Sequence, residues 1–268
     1  MIMTVTTPQL ELWRIEGEFA NVPHAHENEC QITVPIHGTC RFTLENKKYD
    51  LSGGLGLVQH PRDRHHFEIG SESGVLIFKV KMDSLQDMAR AGQIELAVRQ
   101  QFDPSRLSER FRGWTNALLD GGRTDRLAQD EMESQVLDYL FGVLSGNHKT
   151  RAIPGTPRSS RGTDRYMDGV LEYIHSRYTE AIEIDELASI ALQSRYHFIR
   201  SFKAAVGLTP YQYVLWLRME EAKRKLGGSG LTVTDISYSL GFSSVSQFYR
   251  AFAKAVGMTP EKYRDACR

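Results

Sequence analysis

The sequence predicts an α+β protein of two domains: an N-terminal all-β sandwich or small barrel with helices after it, and a C-terminal all-α domain. Three observations predict this. Between residues 9 and 82, short β-branched and aromatic runs alternate with turn signals. From about Asp83, apolar residues recur at helical spacing. Near the C-terminus, SRYHFIRSFKAAVGLTPYQY from Ser194 returns as SVSQFYRAFAKAVGMTPEKY from Ser244, identical at ten of twenty positions without a gap. Two copies are too few for a solenoid, which needs about three to bury a continuous core, so the repeat is a duplicated unit inside one domain.

Composition bounds the rest. The 41% hydrophobic and 25% charged residues are those of a globular chain, neither disordered nor fibrous. The N-terminus has no basic stretch followed by an apolar one and carries Glu11, Glu16 and Glu18 early, which is wrong for a signal peptide. No apolar run approaches the roughly 20 residues that span a bilayer, so no membrane partner is expected. Cys30, Cys40 and Cys267 give no disulfide framework, and cytoplasmic residence is the expectation. The net charge of zero is unevenly spread: residues 1–148 hold 15 basic against 21 acidic, residues 149–163 hold 4 against none, and residues 164–268 hold 14 against 12. An acidic front and a mildly basic back fit a protein whose back half meets a polyanion.

In chain order, LELWRIEGEF, QITVPIHG, CRFTL, ENKKYDLSGG, LGLVQH and VLIFKVKM read as short antiparallel strands. Two or three helices follow. The clearest is RLAQDEMESQVLDYLFGVL, where Leu127, Met132, Val136, Leu137, Leu140 and Leu144 line one side. Residues 149–163, rich in Pro, Gly, Ser and Arg without periodicity, read as a linker between a domain at 1–148 and another at 164–268. In the latter, seven helices are expected: from about Asp164, at Asp185 to Ala191, Ser194 to Ala205, Pro210 to Leu226, Val233 to Leu240, Ser244 to Ala255, and from Pro260. Pro210 suits a first helical position, where its missing N–H would be unpaired anyway.

Each copy of the repeat has the outline of a helix-turn-helix, with the second turn one residue longer. Phe198 and Phe202, or Phe248 and Phe252, lie four apart and point into the core together. The opposite faces carry Arg195, Tyr196, Ile199, Arg200 and Lys203 in one copy, and Val245, Ser246, Tyr249, Arg250 and Lys254 in the other. Arg makes bidentate contacts with guanine, Ser and Tyr donate to base edges or phosphates, and Ile or Val touches a thymine methyl. Ser194 and Ser244 suit N-caps, where a helix also holds a phosphate. A merely solvated face is the alternative, but the matched Arg200 and Arg250 favour double-stranded DNA as the partner.

Over residues 164–268 the text resembles the DNA-binding domain of the AraC/XylS family of bacterial transcription regulators. GFSSVSQFYRAFAKAVGMTPEKYR carries the likeness through Gly241-Phe242, Phe248, Arg250, Phe252, Gly257, Thr259-Pro260 and Tyr263-Arg264, and LRMEEAKRKL through Arg218, Ala222 and Leu226. The resemblance implies two recognition helices held by a linker helix and entering successive major-groove segments. Base reading then falls on Tyr196, Ile199 and Arg200, and on Val245, Ser246, Tyr249 and Arg250. It also implies dimerisation through the helices at 103–146, which otherwise pack on the barrel, and RNA polymerase as a partner. Gln193 and Ser237 depart from the family pattern, so sequence preference is not carried over.

In the front half, VPHAHENECQITVPIHG places His24 and His26 two apart, hence on one face of a strand, and HPRDRHHFEI offers His65 or His66 from another. The pattern resembles the cupin barrel, with Gln31 at the position of that motif's Glu, Gly38 at its Gly, and Pro61 and His66 suiting its second motif. His24, His26, Gln31 and His66 are therefore the expected effector pocket. His24, His26 and His66 are the candidates for a divalent metal, although an amide in place of a carboxylate removes a charged ligand. Cys30 could add a soft ligand, or pack as a buried thiol. A metal-dependent cupin enzyme and a purely architectural DNA binder are the competing readings. With no nucleophile, phosphate loop or paired carboxylates, the expectation is a regulator sensing a small molecule, with no obligatory cofactor.

Overall fold

The computed structural model describes residues 1–89, 96, 98–121, 125–144 and 160–267. They group into two compact units, one of residues 1–115 and 135–144, the other of residues 116–134 with the C-terminal helices. In chain order the first unit contains β1 (Ile2–Thr6), β2 (Leu10–Glu16), β3 (Phe19–Ala20), β4 (Glu29–His37), β5 (Thr39–Leu44), β6 (Lys47–Ser52), β7 (Leu55–Gln59), β8 (His65–Ile69), β9 (Gly74–Lys81), helix α1 (Met82–Ala89), β10 (Arg99–Gln101) and the start of α2 (Pro104–Gly121), up to Thr115. The strands form two antiparallel sheets, β1-β2-β9-β4-β7-β10 and β3-β8-β5-β6.

Alternation fills the space between the sheets. Cys40, Phe42 and Leu44 of β5 share one apolar cluster with Phe67 and Ile69 of β8 and Val75 and Ile77 of β9. The intervening residues of β9, Leu76, Phe78 and Val80, are buried as well. A strand covered on both faces reads as a continuous apolar run, which is why VLIFKVKM is so hydrophobic. Phe78 meets Trp114 of α2 edge-on at 6.2 Å. The six runs read as strands are strands; β1, β3 and β10, short or at sheet edges, carried too little pattern to be singled out.

Helix α3 (Arg126–Leu144) buries all six of its expected apolar residues. It also divides the units: residues 126–134 group with the C-terminal helices and residues 135–144 with the strands. This differs from a boundary at 149–163, because Leu127, at the start of α3, joins a core cluster of the C-terminal unit. Of that expected linker, residues 149–159 lie outside the described residues, and Ser160 already begins α4 (Ser160–Arg177).

The second unit continues through α5 (Ile184–Ile190), α6 (Arg195–Val206), α7 (Pro210–Gly228), α8 (Val233–Ser239), α9 (Val245–Val256) and α10 (Pro260–Ala266), so all seven expected helices are present. The repeat is a repeat of packing. The rings of Phe198 and Phe202 meet tilted with centroids 5.6 Å apart, as do those of Phe248 and Phe252. Phe202 meets Tyr213 edge-on at 5.8 Å, and Phe252 meets Tyr263 at 5.6 Å. The shared Val-Gly-x-Thr-Pro is a stop and a start: Gly207 and Gly257 end α6 and α9 at φ near +80°, Thr209 and Thr259 cap the next helix, and Pro follows at its first position.

Candidate DNA-reading helices and effector cluster

Arg218 of α7 is buried and donates to three backbone carbonyls. Its Nε donates to the carbonyl of Tyr178 at 2.6 Å, Nη2 to that of Glu180 at 2.9 Å, and Nη1 to that of Gly241 at 3.2 Å. One guanidinium thus ties the turn before α5 to the turn inside the second helix-turn-helix, over the ring of Phe242 at 5.6 Å. Gly241 has φ +77°, and a Cβ there would lie 2.2 Å from the carbonyl oxygen of Thr179. Only glycine fits that approach. Helix α7, 19 residues long, spans about 28 Å at ~1.5 Å per residue.

On α9 the expected reading residues face outward: Ser246 and Arg250 are exposed, Val245 and Tyr249 half-buried. Ser244 caps the helix by accepting from the backbone of Gln247 at 3.2 Å. The Tyr249 hydroxyl donates to Glu261 of α10, which pushes the phenol up to about 12. On α6 the picture differs. Lys203 is exposed and Arg200 half-buried, but Tyr196 and Ile199 are buried, Ile199 in the same cluster as Leu127. Arg195 is held by Asp130 and Glu133 of α3. The expectation of a fully open face on α6 is corrected here: Arg195 is paired with carboxylates of residues 126–134, Ile199 is buried in the core cluster that Leu127 joins, and Tyr196 is buried. Ser194 stands at the N-cap position of α6 without a side-chain capping bond.

In the barrel, His24 and His65 form an isolated antiparallel bridge, with both backbone hydrogen bonds made, at 3.0 and 2.8 Å. His26 completes a cluster in which one ring nitrogen of each histidine lies within 4.8 Å of the others. The third member is His65 and not His66, which the sequence favoured. On β8, His65 points inward with Phe67, and His66 takes the other face, paired with Thr43. Strand period 2 makes that one-residue difference decisive.

The tautomers follow from the partners. His65 Nδ1–H donates to the carbonyl of Asp63 at 2.9 Å, which leaves its Nε2 a lone pair, buried and without a partner. His24 Nδ1–H donates to the carbonyl of Val22 at 2.8 Å. A chain of buried bonds orients the third ring: Gln59 donates to the carbonyl of Leu57, Thr33 to Gln59, Gln31 to Thr33, and His26 Nε2–H to Gln31 Oε1 at 3.1 Å. Gln31 therefore positions His26 and is not itself turned into the cluster. Burial holds His65 down at about 4 and also lowers His26, so both rings are neutral at pH 7. Burial pushes the Cys30 thiol up to about 12, and it packs as an apolar group rather than a ligand.

Comparison with known proteins gives this geometry its context. The family profile of the AraC-like ligand binding domain matches residues 13–151, and that of a helix-turn-helix domain matches residues 187–266. The chain belongs to the AraC family of transcription regulators. Among AraC-family relatives, it is 35% identical to the HTH-type regulator YdeC of Bacillus subtilis over 84% of this chain and 80% of that one. It is 34% identical to YbfI of the same organism, over 88% and 85%. It is 24% identical to the transcriptional activator RhaS of Escherichia fergusonii, over 82% and 80%. As an AraC-family protein it is a DNA-binding transcription regulator with an N-terminal ligand-binding domain.

Sequence reading missed Asp130, Glu131 and Glu133, because α3 was read by its apolar side alone. The signal was present in DEMES, four polar residues around one Met in a helix whose other face was already apolar. Thr33 and Gln59 were missed because a buried polar pair on neighbouring strands has no sequence period.

Proposed function

We propose that this regulator couples a small effector, bound in the barrel at His24, His26 and His65, to the duplex read by α6 and α9. The single observation that carries the effector site is the buried, unpartnered Nε2 of His65 beside two further imidazoles. A buried acceptor left unpaired costs about 1–3 kcal/mol, and a ligand that supplies the partner recovers it. The donor set also fits a borderline divalent cation such as zinc. His24, His26 and His65 would hold it, while the carbonyls of Val22 and Asp63 and the amide of Gln31 fix the rings. When bound, such an ion supplies a Lewis-acidic position for an oxygen or nitrogen of the effector. Glu29, with Oε2 3.6 Å from His26 Nδ1, is the carboxylate beside the cluster.

Thermal-shift titration of chelator-treated protein with zinc, and with a panel of small anions with and without zinc, tests this. A shift in the wild type that is lost in His65→Leu supports the site. Equal shifts in both proteins, or none in either, sink it. The remaining parts of the reading rest on the family: a homodimer formed through the helices at 103–146, RNA polymerase as a partner, activation as the name of RhaS states for that protein, action in the cytoplasm, and sensing without catalysis. No described helix is long and apolar enough to cross a membrane.

A further inference from the structure

The two halves of the repeat fold alike, yet one reading helix is open and the other is covered. Arg195, at the first turn of α6, is paired with Asp130, lies 3.2 Å from Glu133 through the same Nη2, and reaches Asp185 at 3.9 Å. The neighbouring Thr209 hydroxyl donates to Glu131 at 2.6 Å. Asp130, Glu131, Glu133 and Ser134 are all buried, as are Tyr196 and Ile199 of α6. In the second copy, Ser246 and Arg250 face solvent. Residues 126–134 thus supply carboxylate partners to Arg195, at the start of α6, and to Thr209.

A DNA-reading helix that presents Arg, Tyr and Ile needs a partner with anionic oxygens and apolar edges. Three carboxylates and Leu127, carried on one helix, offer both. From this we infer that the acidic first half of α3 occupies the place of DNA on α6, so that the first reading helix is closed until residues 126–134 leave it. The contact is built to open. Burying two carboxylates against a guanidinium costs much of what the pairing returns, and Arg195 Nε is buried with no acceptor. Phosphates can replace the carboxylates one for one. Because α3 runs on as residues 135–144 of the ligand-binding unit, the closing segment and that unit are continuous chain in one helix. A protein whose binding-competent form is a fraction f of the whole binds with its affinity reduced by that fraction.

The test uses the full chain and a labelled random-sequence duplex, followed by anisotropy at several salt concentrations. The paired variant Asp130→Asn with Glu133→Gln keeps the shapes and removes the charge. At equal salt it should bind the duplex at least about tenfold more tightly than the wild type. Unchanged or weaker binding by a folded variant overturns the inference. Hydrogen exchange on the wild type decides the matter even if the variant does not fold. The amides of residues 126–134 should lose protection when saturating duplex is added, and equal or greater protection overturns the inference. If neither protein binds duplex at any salt, the assignment of α6 and α9 as reading helices fails too, a distinct outcome from binding that ignores the carboxylates.

Discussion

A single arginine does the work of a bracket in the DNA-binding unit. Arg218 satisfies three backbone carbonyls on two turns that meet at Gly241 and Thr179, and its charge stands near the half-buried Asp125. Replacing it leaves those carbonyls without a donor and a carboxylate without a countercharge. Arg218→Ala should therefore destabilise the protein by about 2–4 kcal/mol, read as a fall in urea midpoint, a large effect for a residue far from any reading face. The identity of Arg218 was legible in the sequence, as part of a family pattern, but its role was not. Nothing local in LRMEEAKRKL says that its guanidinium crosses to Tyr178, Glu180 and Gly241. His65 teaches the same lesson at one-residue resolution. Sequence placed a histidine of HHFEI in the barrel and chose the wrong one of two neighbours, because strand phase is set by pairing with β5 and not by the run itself.

Elements explain why the two turns of the repeat differ. In each copy the residue after the first helix's C-cap takes positive φ, Leu192 at +53° and Gly241 at +77°. Gly241 sits against the Thr179 carbonyl and admits no side chain, whereas Leu192 is 73% exposed and is tolerated by space alone. Leucine still pays for a left-handed backbone there, so Leu192→Gly should stabilise the protein by about 0.5–1 kcal/mol, less than the full left-handed cost because glycine also loosens the unfolded chain. A differential scanning measurement checks the sign. The helices themselves were legible in order and number, because caps such as Thr209-Pro210 and Thr259-Pro260 are local. Helix α3 was legible on its apolar side only. Which neighbour takes its acidic side is a tertiary fact, and it reverses the expected exposure of Tyr196 and Ile199.

For the whole molecule, the sequence carried the two-unit plan, the β-rich ligand-binding half and the duplicated DNA-binding half, and family membership agrees. It placed the division after the helices, whereas residues 126–134 pack with the DNA-binding helices. That displacement turns a linker problem into a regulatory one, since the segment joining sensor to reader lies on a reading helix. The central claim is that one chain reads two successive stretches of duplex with α6 and α9, held by a rod about 28 Å long. Hydroxyl-radical footprinting on the regulator's own promoter DNA tests it most directly, comparing wild type with Arg200→Ala and Arg250→Ala. The account predicts two protected segments about one helical turn, roughly 34 Å, apart, with each variant losing protection in a different segment. A single protected segment, or footprints unaltered in both variants, would contradict it.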